Sequence, residues 1–157
     1  MTTQRLIDDL TAARQALLDA LDRVSPASMT TPGLLGDWSG REVLAHVGYW
    51  AGNAVEVIHA VEEGRADEVG EGKPPTDEVN DTVARVARET NMPTVRKREA
   101  ATVEALIERL RRLDAGLLPT VLPDGATLER SIAEEGADHY RQHAEDLRRT
   151  LSEGARG

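Results

Sequence analysis

Trp38-Ser39-Gly40-Arg41-Glu42-Val43-Leu44-Ala45-His46-Val47 decides how this chain is read. Ser39 followed three residues later by Glu42 is a capping box, in which each side chain satisfies an amide that the first helical turn leaves free. Trp38, just before the cap, is placed to staple against Val43. Behind the cap, Val43, Val47, Ala54, Ile58 and Val61 recur at helical spacing, and His46 and Trp50 fall on the same stripe. The helix is expected to end near Gly64. An imidazole therefore occupies a core-facing position where a leucine would serve packing better.

Upstream, Leu6, Leu10, Ala13, Leu17, Leu21 and Val24 step by threes and fours, giving a helix from about Thr3 that Ser25-Pro26 stops. Downstream, Glu63 to Pro75 is charged, rich in glycine and aperiodic, and reads as a solvated crossover or a lid. Thr76 is expected to cap a third helix with Val79, Val83 and Val86 inward. The pattern breaks at Asn91-Met92-Pro93 and resumes from Thr94 through Val103, Leu106, Ile107, Leu110 and Leu113, as two helices or one kinked helix. Gly116 to Gly125 is a turn-rich connection, and a last helix is expected from near Thr127 to about Ser152. No repeat, strand or domain linker is legible. These elements give an all-α fold, a four-helix bundle in one domain over residues 1–157, with long connections after the second helix and before the last.

With 157 residues the chain is long enough for a real core, and its 39% apolar residues sit in helical registers. The formal charge of −9 repels phosphate backbones and anionic lipid, so nucleic acid and membrane surfaces are set aside as partners in favour of a small molecule. The absence of cysteine removes disulfides, thiolate metal sites and a cysteine nucleophile. No segment reads as a signal core or a membrane span, which places the protein in the cytoplasm.

The second half of the site is Ala137-Asp138-His139-Tyr140-Arg141-Gln142-His143. Leu128, Ile132, Leu147 and Leu151 define the expected buried stripe of the last helix, and His139 and His143 fall inside it, roughly 40° apart. An unpaired buried imidazole costs on the order of 1–3 kcal/mol. A divalent metal removes that cost, because neutral imidazole is a preferred ligand, and three protein ligands leave positions open for chemistry. His46, His139 and His143 are therefore the candidate metal ligands. Tyr140 follows the first histidine, so the adjacent glutamate base of a zincin is missing. His59 lies some 140° around its helix from His46 and is expected at the surface. Tyr49, Trp50, Asn53, Glu135 and Tyr140 are the candidates to line the pocket or orient the ligands; Glu42 already has its capping work. Gly136, inside the last helix, is either tolerated or gives close access to the site. Gly48 and Gly52, opposite His46, allow a close helix contact or are likewise tolerated.

The Trp38–Val47 stretch resembles the opening of the second helix in the DinB-like superfamily, and Asp138-His139-Tyr140-Arg141-Gln142-His143 resembles its last helix. Glu78-Val79-Asn80 is similar to the family's asparagine-bearing entry to the third helix. The superfamily includes the N-terminal domain of mycothiol-dependent maleylpyruvate isomerase, YfiT-like metal-dependent hydrolases, thiol S-transferases and colibactin-resistance proteins. The His-Tyr-x-x-His form and Trp50 lean toward the last branch. The resemblance implies an up-down-down-up course, homodimers, and zinc or nickel on His46, His139 and His143. The chain ends soon after the last helix, leaving no room for the isomerases' C-terminal domain.

Three functions follow. The first is a metal-dependent enzyme that uses a low-molecular-weight thiol as cosubstrate for transfer to, or isomerisation of, a small electrophile. The others are a metal-dependent hydrolase with water as nucleophile and a non-catalytic bundle that binds metal or metabolite. No residue stands out as the general base.

Overall fold

The computed structural model describes residues 2–156, so the expected domain bounds at Met1 and Gly157 lie outside the described residues. Six α-helices follow in order: α1 Thr3–Asp22, α2 Gly40–Glu62, α3 Thr76–Arg88, α4 Met92–Arg112, α5 Leu128–Glu135 and α6 Ala137–Arg156. No strand is formed among the described residues; two isolated bridges, Leu35 with Trp38 and Val121 with Thr127, pin the connections.

The starts of α1, α2, α4 and α5 lie where local chemistry supplies an acceptor. Thr2 accepts from the Arg5 amide at 3.2 Å, and Asn91 from the Thr94 amide at 2.9 Å. At Ser39 the capping box forms, with the Ser39 amide donating to Glu42 Oε2 at 2.6 Å. Glu42 Oε1 meanwhile accepts from Arg88 Nε at 3.2 Å, so this fully buried carboxylate ties α3 to the start of α2. Pro93 sits in the first turn of α4, where its missing amide hydrogen costs nothing. The interruption at 91–93 therefore makes two helices.

Four of the helices form the bundle: α1 packs along α6 and α2 along α4, while α3 and α5 lie against α2. The directions follow from the pairs in contact. Gly48 faces Glu99 and Gly52 faces Thr102, so α2 and α4 run parallel. His46 meets His139 and Asn53 meets Glu135, so the α5–α6 segment runs against α2. Arg14 reaches Glu99 while Leu10 lies by Leu106 and Gly136, which sets α1 antiparallel to α4. The course is up-down-down-up. The glycines matter here: a Cβ on Gly48 would stand 3.2–3.4 Å from three atoms of Glu99, so its absence lets α2 approach α4 closely.

Three expectations about the helices need correction. Thr76 is the first residue of α3 and not its cap; Pro75 precedes it and offers no side-chain acceptor. The buried face of α3 is Ala84 and Ala87, whereas Val86 is 49% exposed. Small alanines let a short helix lie close to α2, which rotates the valines toward a surface groove. The third correction is the largest. The last helix is broken at Gly136, whose φ and ψ are both −103°. A Cβ there would stand 2.9 Å from the Ile132 carbonyl oxygen, so a side chain would collide with the backbone of the preceding turn.

The break resets the register. Leu128 and Ile132 are buried as expected, but the buried stripe of α6 is Ala137, Tyr140, Ala144 and Leu147. His139 and His143 stand at the margin of that stripe and are half-buried. A continuous helix would have set them in its centre. No helix among the described residues is long and apolar enough to cross a membrane.

Candidate metal centre

His46, from the second turn of the capped α2, is 6% exposed, and the two α6 imidazoles close on it. Ring centroids lie 4.5 Å apart for His46 and His139, 5.0 Å for His46 and His143, and 4.8 Å for His139 and His143. The Nε2 atoms of His46 and His139 are 2.7 Å apart, so one ring donates its N–H to the other's lone pair. One nitrogen from each of the three lies within 4.8 Å of the others, and the three together could hold a metal ion. Trp38 covers His46 with its ring centroid at 4.7 Å.

The electrostatics keep the rings neutral. Burial, with the neighbouring imidazoles adding to it, lowers His46 to about 3. Burial and His143 lower His139 to about 4, and burial lowers His143. Neutral imidazole is the form that binds a metal. Two nitrogens, His46 Nδ1 and His143 Nδ1, are buried without a hydrogen-bond partner, and Asp146 stays 3.6 Å from the latter. A zinc or nickel ion among the rings would take one lone pair from each imidazole, in place of the single bond shared by His46 and His139. The donor set thus fits a divalent ion. His143 also borders a depression of about 390 Å³ with Leu35, Trp38, Asp146 and Arg149, which gives the triad a way to solvent.

The remaining candidates divide. Trp50 donates its indole N–H to Asn80 at 2.9 Å, and Tyr49, 41% exposed, stands edge-on to it at 5.2 Å. Asn53 donates to Glu135 Oε1 at 2.7 Å and accepts from Lys73 at 2.5 Å. Tyr49, Trp50, Asn53, Lys73 and Glu135 share a cavity of about 360 Å³ that none of the three histidines lines. Burial pushes the Glu135 carboxyl up to about 7 against the pull of Asn53 and Lys73.

Tyr140 belongs elsewhere. It is fully buried between the helices, and its hydroxyl donates to Glu99 Oε1 at 3.1 Å. Arg14 grips the same carboxylate through Nε at 2.5 Å and Nη2 at 3.0 Å. Burial, with the Glu99 charge next, raises the tyrosine. Sequence reasoning missed Glu99, although a signal existed: it lies four residues after Val95 and four before Val103, an acid in the middle of an apolar stripe. His59 is at the surface as expected, 2.9 Å from Glu63.

A family model described as the DinB superfamily matches residues 9–147. Three solved structures share the fold at low identity. A mycothiol-dependent maleylpyruvate isomerase is 17% identical with a TM-score of 0.75, over 94% of this chain and 61% of that one, so the chain spans about three-fifths of that protein's length. The colibactin self-resistance protein ClbS, in complex with double-stranded DNA, is 16% identical with a TM-score of 0.77, over 96% of both chains. An uncharacterised protein from Escherichia coli UTI89 is 13% identical with a TM-score of 0.79, over 98% of this chain and 95% of that one. No curated protein sequence matches the chain.

The DNA complex overturns the exclusion of nucleic acid that the net charge of −9 suggested. A bundle of this fold does meet duplex DNA. Net charge sums the whole surface, whereas binding depends on the field of the one face in contact.

Proposed function

The chain belongs to the DinB superfamily, and on that premise we propose that it is a metal-dependent enzyme whose divalent ion, zinc or nickel, is held by His46, His139 and His143. The reaction is transfer of a low-molecular-weight thiol to a small electrophile, or thiol-assisted isomerisation of one. The observation that carries this reading is the convergence of three neutral imidazoles with two buried nitrogens left unpartnered. The mycothiol dependence of a neighbour with this fold supports a thiol as cosubstrate, and a chain without cysteine needs one from outside. The proposed compartment is the cytoplasm, where such thiols are kept reduced.

When bound, a divalent ion would lower the pKa of a thiol or water toward neutrality and polarise a substrate oxygen. The chain's own residues do the rest. Burial lowers all three rings, His46 to about 3 and His139 to about 4, so they are ready to bind without first losing protons. Trp38 shields His46 on one side, and α2 and α6 fix the rings from two directions. The depression beside His143 admits the substrate.

Elemental analysis of protein purified without an affinity tag tests the first step. About one zinc or nickel per chain, lost in the His139→Ala variant, is expected; no metal, and no change in melting temperature on adding either ion, overturns the reading. Consumption of a small electrophile such as maleylpyruvate that needs both metal and added thiol supports transfer or isomerisation. Consumption of that electrophile without thiol assigns water as the nucleophile.

A further inference from the structure

The cavity shared by Trp50, Asn53 and Glu135 has a chemistry of its own. Two of its walls are aromatic: Tyr49 and Trp50 meet at 89° and form a corner, and the bond from Trp50 to Asn80 fixes the indole in place. The third feature is a carboxylate held where charge is disfavoured. Glu135 is the last residue of α5, at the negative end of the helix dipole. Asp124 and Glu134 add like charge, and burial outweighs both in raising its pKa.

Its partners leave it incomplete. Oε1 accepts from Asn53, while Oε2 is buried with no partner. The one nearby cation, Lys73, gives its hydrogen bond to Asn53 Oδ1. Above about pH 7, where Glu135 is ionised, Glu135 and Asp124 stand against Lys73 and the cavity is one positive charge short of neutrality. Aromatic faces beside an unsatisfied carboxylate are the arrangement that recognises an ammonium ion, through cation–π attraction and a charge-assisted hydrogen bond. An anion would meet two carboxylates, and an apolar ligand would leave Oε2 unpaired. The terminal torsion of a glutamate is broad, so a turn of the carboxylate can bring an oxygen to the cavity, exchanging the bond from Asn53 for one from the ammonium.

We propose that this cavity binds the primary ammonium group of a small organic molecule, with Glu135 as counter-ion and Tyr49 and Trp50 as aromatic walls. The site stands apart from the metal reading, because no imidazole lines it. Asn53, which holds Glu135, lies seven residues beyond His46, a rise of about 10 Å along α2. A ligand engaging both places would carry its ammonium at about that distance from its metal-binding atom.

Calorimetric titration of the full chain with n-butylammonium and with 1-butanol tests this, in chelator and again with zinc. At a pH near 8, above the Glu135 value of about 7, the ammonium is expected to bind one to one, at least about tenfold tighter than the alcohol. The preference should be the same with and without zinc, so it survives if the metal reading fails. Glu135→Gln, nearly the same shape, should erase the preference, and Trp50→Leu should weaken ammonium binding several-fold. In the wild-type protein, the Glu135 carboxyl signal in carbon NMR should titrate at lower pH once butylammonium is present. Equal binding of amine and alcohol, no binding of either up to about 10 mM, or an unshifted Glu135 titration overturns the proposal.

Discussion

Replacing His46 with leucine should make the metal-free protein more stable, which is the opposite of what a core substitution normally does. His46 is 6% exposed, its Nδ1 has no partner, and its Nε2 shares one hydrogen bond with His139. Leucine has a similar size and removes the unsatisfied nitrogen, which costs about 1–3 kcal/mol. The shared bond is lost, about 0.5–1.5 kcal/mol, and half-buried His139 can turn to water instead. Added apolar contact with Trp38 and the core favours the variant further. The net expectation is a gain of about 1–2 kcal/mol, or a rise of roughly 2–8 °C in melting temperature for a chain of this length.

Zinc should reverse the order. Binding at a hundred times the dissociation constant stabilises the wild type by about 2.7 kcal/mol and should leave His46→Leu nearly unmoved. The assay is urea denaturation of both proteins, in chelator and in excess zinc, where the two should exchange rank. Acid should widen the gap seen in chelator. His46 lies at about 3 against an ordinary 6.5, so between those values the unfolded chain takes up a proton that the folded chain refuses. Its contribution is intact above about 6.5 and is lost as pH falls toward 3. A variant destabilised by more than about 1 kcal/mol in chelator would mean that His46 is a satisfied core residue, and the reasoning from its orphaned nitrogen would be wrong.

Other outcomes follow from the same structure. Arg14→Leu leaves the buried Glu99 carboxylate with Tyr140 alone and should cost about 2–4 kcal/mol in urea denaturation, less than a fully buried pair because Arg14 is 27% exposed. Adding Glu99→Gln should restore part of that loss; a further drop in the double variant would refute the buried-charge account. Glu135, raised from 4.5 to about 7, holds a proton in the folded chain that the unfolded chain has released, so stability should fall as pH rises through that range. Glu135→Gln should flatten this part of the pH–stability curve. Gly136→Ala places a Cβ against the Ile132 carbonyl and should cost about 1–3 kcal/mol. It should also weaken zinc binding, measured by competition with a chromophoric chelator, because straightening the break turns α6 and its histidines.

The histidine constellation was legible because apolar periodicity and an interrupting imidazole are both local facts. Val43, His46 and Val47 declare the inward face of α2 without help from the rest of the chain. The α6 pair was placed on too central a stripe, since the extrapolation ran through Gly136 as though the helix were continuous. Val86 misled for a related reason: valine on a short helix reads as core, but α3 touches α2 through its alanines. Tyr140 was assigned to the pocket because it neighbours His139 in sequence, yet adjacent residues on a helix point about 100° apart.

The sequence by itself determined where most of the helical segments lie, the capping box at Ser39 and the three imidazoles as ligand candidates, because each depends on residues within one or two turns. Tertiary structure decided which groups complete one another. Glu99 needs Arg14, 85 residues away, and Tyr140, 41 residues away. Glu135 needs Asn53, 82 residues away, and through it Lys73 on a connection with no pattern of its own. The desolvation that shifts a buried group and the partner that satisfies it come from helices packed around it, and packing across the bundle leaves no periodic trace in the chain. The capped stretch from Trp38 to Val47 thus places one ligand nitrogen, and the packing of the helices brings the other two within 4.8 Å of it.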